Sequence, residues 1–229
     1  MIKAVIFDLD GTLADTMPDL QAAMNGMLTR LGYRTRTRAD LLKAINNGAR
    51  EFVRRSLPRD VQNVDFILQS AIETYEDEYS KCYTEKTAPY ADIEALLMDL
   101  KGMGVKISVL SNKQDNFVKD IIAKLFDRKL FSCIQGQANM PTKPNPTSAL
   151  AIAKSMGVKP SRCLFIGDSD VDIQTAKNAG MRSVGVSWGY REREVLEEAG
   201  ADFIAKTPGD ICNIINSLKD EIEKKKKQA

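Results

Sequence analysis

Two aspartates, Asp8 and Asp10, stand two residues apart where the apolar run AVIF ends. A strand continuing through them has a period of two, so both carboxylates would share one face and Leu9 the other. Like charges held that close raise each other's pKa, and such a pair needs a cation to be worth keeping. Acids gather again in GDSDVD, where Asp168, Asp170 and Asp172 follow a second apolar run. Between the two clusters, SNK supplies the Ser111 hydroxyl and the Asn112 amide, and PTKPNP fixes Lys143 among turn-forming prolines. Together these side chains suit magnesium-assisted transfer of a phosphoryl group. Mg²⁺ takes oxygen ligands, keeps several waters and so needs few protein carboxylates. A hydroxyl, an amide and a lysine can donate to the remaining phosphate oxygens. With metal and lysine supplying positive charge, one carboxylate can approach a phosphate dianion as nucleophile.

The elements that must position these groups follow from periodicity. Residues 3–9 read as a buried strand, and residues 17–83 as helices throughout, beginning with LQAAMNGMLTRLG and ending with the Tyr75–Tyr83 stretch. From IEALLMDLKGMG onward, helices alternate with the strands VKISVLS, SCIQG, RCLFIGD, RSVGVSW and DFIA. That alternation predicts an α/β fold, a doubly wound parallel sheet with right-handed crossovers. The helical stretch is then an insert, giving a core of residues 1–15 and 84–229 and a helical cap of residues 16–83. Ligands of open α/β sheets bind beyond the carboxyl ends of the strands, which is where the polar residues gather.

Composition narrows the functions. The chain has 229 residues, 43% hydrophobic and 28% charged, as an ordinary globular protein does. Its net charge of +2 resides in the tail KDEIEKKKK, and the remainder is balanced, which argues against a nucleic-acid groove. The tail reads as a solvated helix end. Histidine is absent, which removes Ser-His-Asp hydrolysis and His-based phosphoryl transfer. Cys82, Cys133, Cys163 and Cys212 form no CxxC pair, so reduced thiols and a cytoplasmic location are expected. No apolar run is long enough to span a membrane.

DLDGT, SNK, TKPNP and GDSDVD, in this order, resemble the four motifs of the haloacid dehalogenase-like superfamily. The helical insert resembles the cap of its phosphoglycolate-phosphatase-like branch. The resemblance implies a Rossmann-like core and a role for each position. Asp8 would be the nucleophile that forms an aspartyl-phosphate. Asp10 would protonate the leaving oxygen and then activate water. Asp8, the Asp10 backbone carbonyl and Asp168 would hold Mg²⁺, with Asp172 supporting its waters. Thr12, Ser111, Asn112 and Lys143 would surround the phosphate, Gly11 and Thr12 also shaping the turn. In the cap, NNGAR resembles the specificity loop of that branch, so Asn47, Gly48 and Arg50 would face the substrate, Arg50 pairing with a carboxylate or second phosphate. GVSWGY also resembles that branch.

Competing readings are weaker. DSDVD begins like a calcium loop, but Ile173 and Ala179 occupy the positions that need Gly and Glu. A DxD nucleotide-sugar transferase leaves Lys143 without a role, and a dehalogenase has no use for Asp10. A phospho-receiver would carry no insert of this size. Asp170 reads as a helix N-terminal charge, Asp15 as a cap for the first insert helix, and Trp188 as packing beside the sheet. The tyrosines from Tyr75 to Tyr83 read as bundle core. The expectation is a Mg²⁺-dependent phosphatase, monomer or homodimer, for a small phosphorylated metabolite, 2-phosphoglycolate first. A sugar-phosphate mutase or an inorganic pyrophosphatase of the same fold is the alternative. In the mutase branch an acid commonly precedes the motif-four aspartate, where this chain has Gly167.

Overall fold

The computed structural model describes residues 1–227, and side chains from residue 221 onward lie outside the described residues, including most of the lysine-rich tail. Its centre is β1 (Ala4–Phe7), whose four residues are all buried. Parallel neighbours flank it on both sides: β4 (Lys106–Gln114) pairs Val109 with Phe7, and β6 (Cys163–Gly167) pairs Ile166 with Phe7. Side chains alternate between two apolar layers, Val5 and Phe7 packing into one and Ala4 and Ile6 into the other. A strand covered on both faces needs a continuous apolar run, which is why AVIF shows no polar alternation.

Six strands form the sheet in the order β5-β4-β1-β6-β7-β8, with β5 at Phe131–Gln137, β7 at Arg182–Val186 and β8 at Phe203–Ala205. The helices α5 (Ile93–Gly102), α6 (Asp115–Leu125), α7 (Thr147–Ser155), α8 (Asp170–Asn178), α9 (Arg193–Glu198) and α10 (Pro208–Lys227) make the crossovers and the closing helix. Strand order reverses direction at β1, so the chain leaves it toward β4 on one side and later returns to β6 on the other. A crevice opens beyond such a switch point. No helix of the described residues is long and apolar enough to cross a membrane.

The insert comprises α1 (Met17–Arg30), α2 (Arg38–Ala44), α3 (Gly48–Ser56) and α4 (Asp65–Cys82). They pack around their own cluster, with Met24, Met27, Leu41, Val53, Leu57 and Ala71 at its centre. Phe117 of α6 enters the same cluster from the core side. Tyr75 and Tyr79 belong to it, stacked with ring centroids 5.8 Å apart.

Two details at the root of the insert have no signal in the sequence pattern. The chain departs and returns through a two-strand antiparallel ribbon, β2 (Ala14–Asp15) against β3 (Ala88–Pro89). Two residues per strand carry no readable period. The second detail is Asp19, only 1% exposed, whose carboxylate accepts from the Lys86 and Thr87 amides and the Thr87 hydroxyl. This carboxylate ties the first turn of α1 to the returning strand. Asp15 accepts from the Met17 amide, but the N-cap position of α1 is Thr16, so Asp15 stands one residue before the cap it was expected to be.

Candidate active site

The strand carrying Asp8 stops at Phe7, earlier than the sequence implies. Leu9 turns into the core, fully buried, and the amides of Thr12, Leu13 and Ala14 all point to its carbonyl. The tight turn, with Gly11 at φ 78°, brings Asp8 and Asp10 to one cavity without an extended strand between them. Only glycine fits there: a Cβ on Gly11 would stand 2.2 Å from Asp168 Oδ2.

Asp168 follows β6, and Asp172 lies in the first turn of α8, held by a reciprocal cap in which the Ser169 hydroxyl and amide donate to its Oδ2 at 2.6 and 3.1 Å. Asp8, Asp168 and Asp172 are each buried and offer one oxygen apiece within 4.8 Å of one another. Burial, joined by repulsion from Asp172 and Asp10, pushes the Asp8 carboxyl up to about 7 despite the Lys143 ammonium beside it. Burial also holds Asp168 well above the usual carboxylate range, with Asp172 and Asp8 adding to it. Three crowded carboxylates, with the anionic forms of Asp8 and Asp168 disfavoured, fit a hard divalent cation. The Asp10 carboxylate is not in this group.

Lys143 is 4% exposed, with its ammonium 2.9 Å from Asp8 and 2.7 Å from Asp172. Burial works against its charge, but Asp172 and Asp8 outweigh burial and hold it above the ordinary lysine range. Its backbone is pinned by the Asn112 side chain, which donates to the Lys143 carbonyl at 3.0 Å and accepts from its amide at 2.8 Å. Both ends of the Asn112 amide are thus engaged with Lys143, leaving less of it for a phosphate than the SNK motif implies. Ser111 is buried and lines the cavity, its hydroxyl accepting from the Lys113 amide. Thr12 is fully buried, and its hydroxyl donates to Asp168 at 3.4 Å rather than lining the cavity.

The cap covers this chemistry with Leu20, Ile45, Phe52, Tyr75 and Tyr79. Asn47 and Gly48 line the cavity. Arg50 does not, and here the expectation is corrected. Helix α3 buries Phe52, Val53 and Ser56, and Ala49 lies on the same side. One residue's rotation of about 100° carries Arg50 off that face into solvent. A cavity guanidinium comes instead from Arg191, after β7, which donates to the carbonyls of Leu42 and Ile45 at the end of α2.

Several contributors had no motif to announce them. Lys113 Nζ lies 2.6 Å from Asp10 Oδ1, an oxygen that also accepts from the Thr16 hydroxyl. Tyr190 donates its amide to Asp168 at 2.7 Å, and its hydroxyl accepts from the Thr16 and Met17 amides at the start of the cap. Gly189 permits this approach, since a Cβ there would stand 2.2 Å from the Asp168 Cβ. Trp188 packs against the core and donates to the Thr12 carbonyl. Asp170 is exposed at the start of α8 and accepts from the Asn46 amide of the cap at 3.4 Å.

The fold agrees with comparisons to known proteins. Residues 5–186 match the family model of haloacid dehalogenase-like hydrolases. A phosphoglycolate phosphatase of Pseudomonas syringae pv. tomato is 35% identical over 207 residues, covering 88% of this chain and 76% of that protein. One from Psychrobacter arcticus is 34% identical over 89% of this chain and 93% of its own length. Among solved structures, a predicted phosphoglycolate phosphatase from Haemophilus somnus superposes with a TM-score of 0.86 at 26% identity, over 93% of this chain and 98% of that one. The chain belongs to the haloacid dehalogenase-like hydrolase family. It is a phosphatase, a phosphoric monoester hydrolase of that family.

Proposed function

We propose that the chain hydrolyses the phosphate ester of a small phosphorylated carboxylic acid, 2-phosphoglycolate first among candidates, with Mg²⁺ as cofactor and Asp8 as nucleophile. The observation that carries this reading is the meeting of Asp8, Asp168 and Lys143 at a cavity roofed by the cap, with Asp172 against Lys143 behind them.

Asp8, Asp168 and the Asp10 backbone carbonyl would hold the metal, with Asp172 behind them. When bound, Mg²⁺ supplies positive charge that neutralises phosphate oxygens and the crowded carboxylates. Lys143 adds a second charge beside the Asp8 oxygen, so that carboxylate can approach phosphorus and form an aspartyl-phosphate. Asp10 gives its proton to the departing oxygen and takes one from the water that later attacks the phosphoryl group. The cap excludes bulk water while both steps occur. Tyr190 connects cap and metal site in one residue, through its hydroxyl to Thr16 and Met17 and its amide to Asp168.

Gly167 supports hydrolysis over mutase chemistry. A Cβ at 167 would stand 2.2 Å from Asp172 Cγ, so no acid fits there while Asp172 keeps its place. The choice of substrate follows from the phosphoglycolate phosphatases that the chain resembles, and Ile45, Phe52, Tyr75 and Tyr79 of the cap cover the place where it would bind.

A metabolite panel scored for phosphate release, with Mg²⁺ and with chelator, tests the proposal. Release from 2-phosphoglycolate that stops on chelation is the expected result. Chelator-insensitive turnover, or conversion of β-glucose 1-phosphate to its 6-phosphate without net phosphate release, would overturn it.

A further inference from the structure

Asp10 presents two unequal oxygens. Its Oδ1 is within 2.6 Å of Lys113 Nζ and also accepts from the Thr16 hydroxyl. Its Oδ2 accepts no hydrogen bond from the described residues. Lys113 is itself a constrained cation, its side chain 7% exposed and its ammonium 5.1 Å from the centroid of the Tyr79 ring. Tyr79 is 3% exposed, stacks on Tyr75 and lies against Phe117, so the cap closes one side of the lysine while Asp10 meets its head. Holding a long lysine side chain in this way costs rotamer freedom and desolvation, and a surface position would avoid both.

We propose that Lys113 is a positioning residue for Asp10: by occupying Oδ1 together with Thr16 it fixes the carboxyl so that Oδ2 alone serves the leaving-group oxygen. The inference rests on the roles given to Asp8 and Asp10 under the proposed function. In the first step an Asp8 oxygen bonds to phosphorus, the ester P–O bond breaks, and the proton on Asp10 Oδ2 passes to the departing oxygen. A carboxyl free to rotate would present either oxygen, and proton transfer would lose its alignment. Because Tyr79 belongs to the cap, Lys113 attains this placement with the cap closed. The proton donor is therefore set when water is excluded.

Dependence on the leaving group tests this, since a good leaving group needs no proton and a poor one does. The probes are substituted phenyl phosphates from 4-nitrophenyl to unsubstituted phenyl, hydrolysed with Mg²⁺ by the wild-type chain, Lys113→Met and Lys113→Arg. The measured quantity is kcat/KM, which covers the steps through departure of the leaving group. For Lys113→Met, the expected loss is severalfold on 4-nitrophenyl phosphate and on the order of a hundredfold on phenyl phosphate. Lys113→Arg, which keeps the charge, should return the slope toward wild type. A uniform loss across the series, or none, would overturn the proposal, since a merely structural or bulk electrostatic role predicts no slope change. A wild-type chain inactive on every ester would instead overturn the underlying phosphatase reading, an outcome distinct from either result in the variants.

Discussion

Lys143 Nζ stands 2.9 Å from Asp8 Oδ1, and both groups are buried beneath the cap. The same ammonium reaches Asp172 at 2.7 Å. One lysine thus meets two members of the buried carboxylate cluster. Removing it leaves buried acids without a counter-charge. Lys143→Met is expected to lose about 3–5 kcal/mol of stability in metal-free buffer, together with turnover. Chemical denaturation measures the first, and an unchanged unfolding midpoint would contradict the proposed charge balance.

Crowding of the acids predicts how metal and stability are linked. Mg²⁺ should stabilise the wild-type chain by about 2.7 kcal/mol at a hundredfold excess over its Kd. Asp168→Asn removes one of three mutually repelling groups, so its metal-free form should melt above the metal-free wild type. It should also lose most of the Mg²⁺-dependent rise. Thermal melts with and without Mg²⁺ check both signs, and an equal rise in both proteins would exclude Asp168 from the metal site.

Arg191 and Arg50 should part company. Arg191 holds the end of α2 through two carbonyls, and charge-assisted bonds of this kind contribute about 1.5–3 kcal/mol each. Arg191→Ala is expected to raise KM on the order of tenfold by loosening the cap. Arg50→Ala should change kcat/KM by less than about twofold, because that side chain points to solvent. Steady-state kinetics on one acidic and one aryl substrate distinguishes them. A larger effect at Arg50 would reverse the assignment.

Asp19 should matter for integrity rather than chemistry. Its carboxylate accepts from two amides and a hydroxyl at the base of the cap. Asp19→Ala leaves those donors unpaired, at about 1–3 kcal/mol for each that stays buried. Faster proteolysis in the segment leading into β3, residues 84–89, with a lower Tm, is the expected signature. Wild-type resistance would show that the ribbon does not depend on this carboxylate.

The outline of this molecule was legible in the sequence where local chemistry fixes it. AVIF reads as a strand buried on both faces because it is one, and the order of strands and helices after Ile93 implied the parallel sheet. Asp8, Asp168 and Lys143 stood out because a charged group at the end of an apolar run is costly to bury unless opposite charges meet it there. What escaped depended on relations between distant segments. Asp19 meets Thr87, and Lys113 meets Asp10, across separations that no local pattern reports. The Asn112 amide was assigned to phosphate because nothing in SNK shows that Lys143 will occupy both its ends. Arg50 faces solvent for a rotational reason: the NNGAR motif marks the loop, but the helical phase of α3 starting at Gly48 decides which side chain faces inward.

Asp8 is the residue proposed to take the phosphoryl group, and every other role in the site depends on it. Rapid acid quench of the enzyme turning over a substrate labelled in its phosphoryl group, followed by mass analysis of the peptides, tests this directly. The predicted result is a phosphoryl adduct on the Asp8-containing peptide that appears before free phosphate and is missing in Asp8→Asn. Phosphate formed at full rate with no adduct at any quench time, or undiminished turnover by Asp8→Asn, would contradict it.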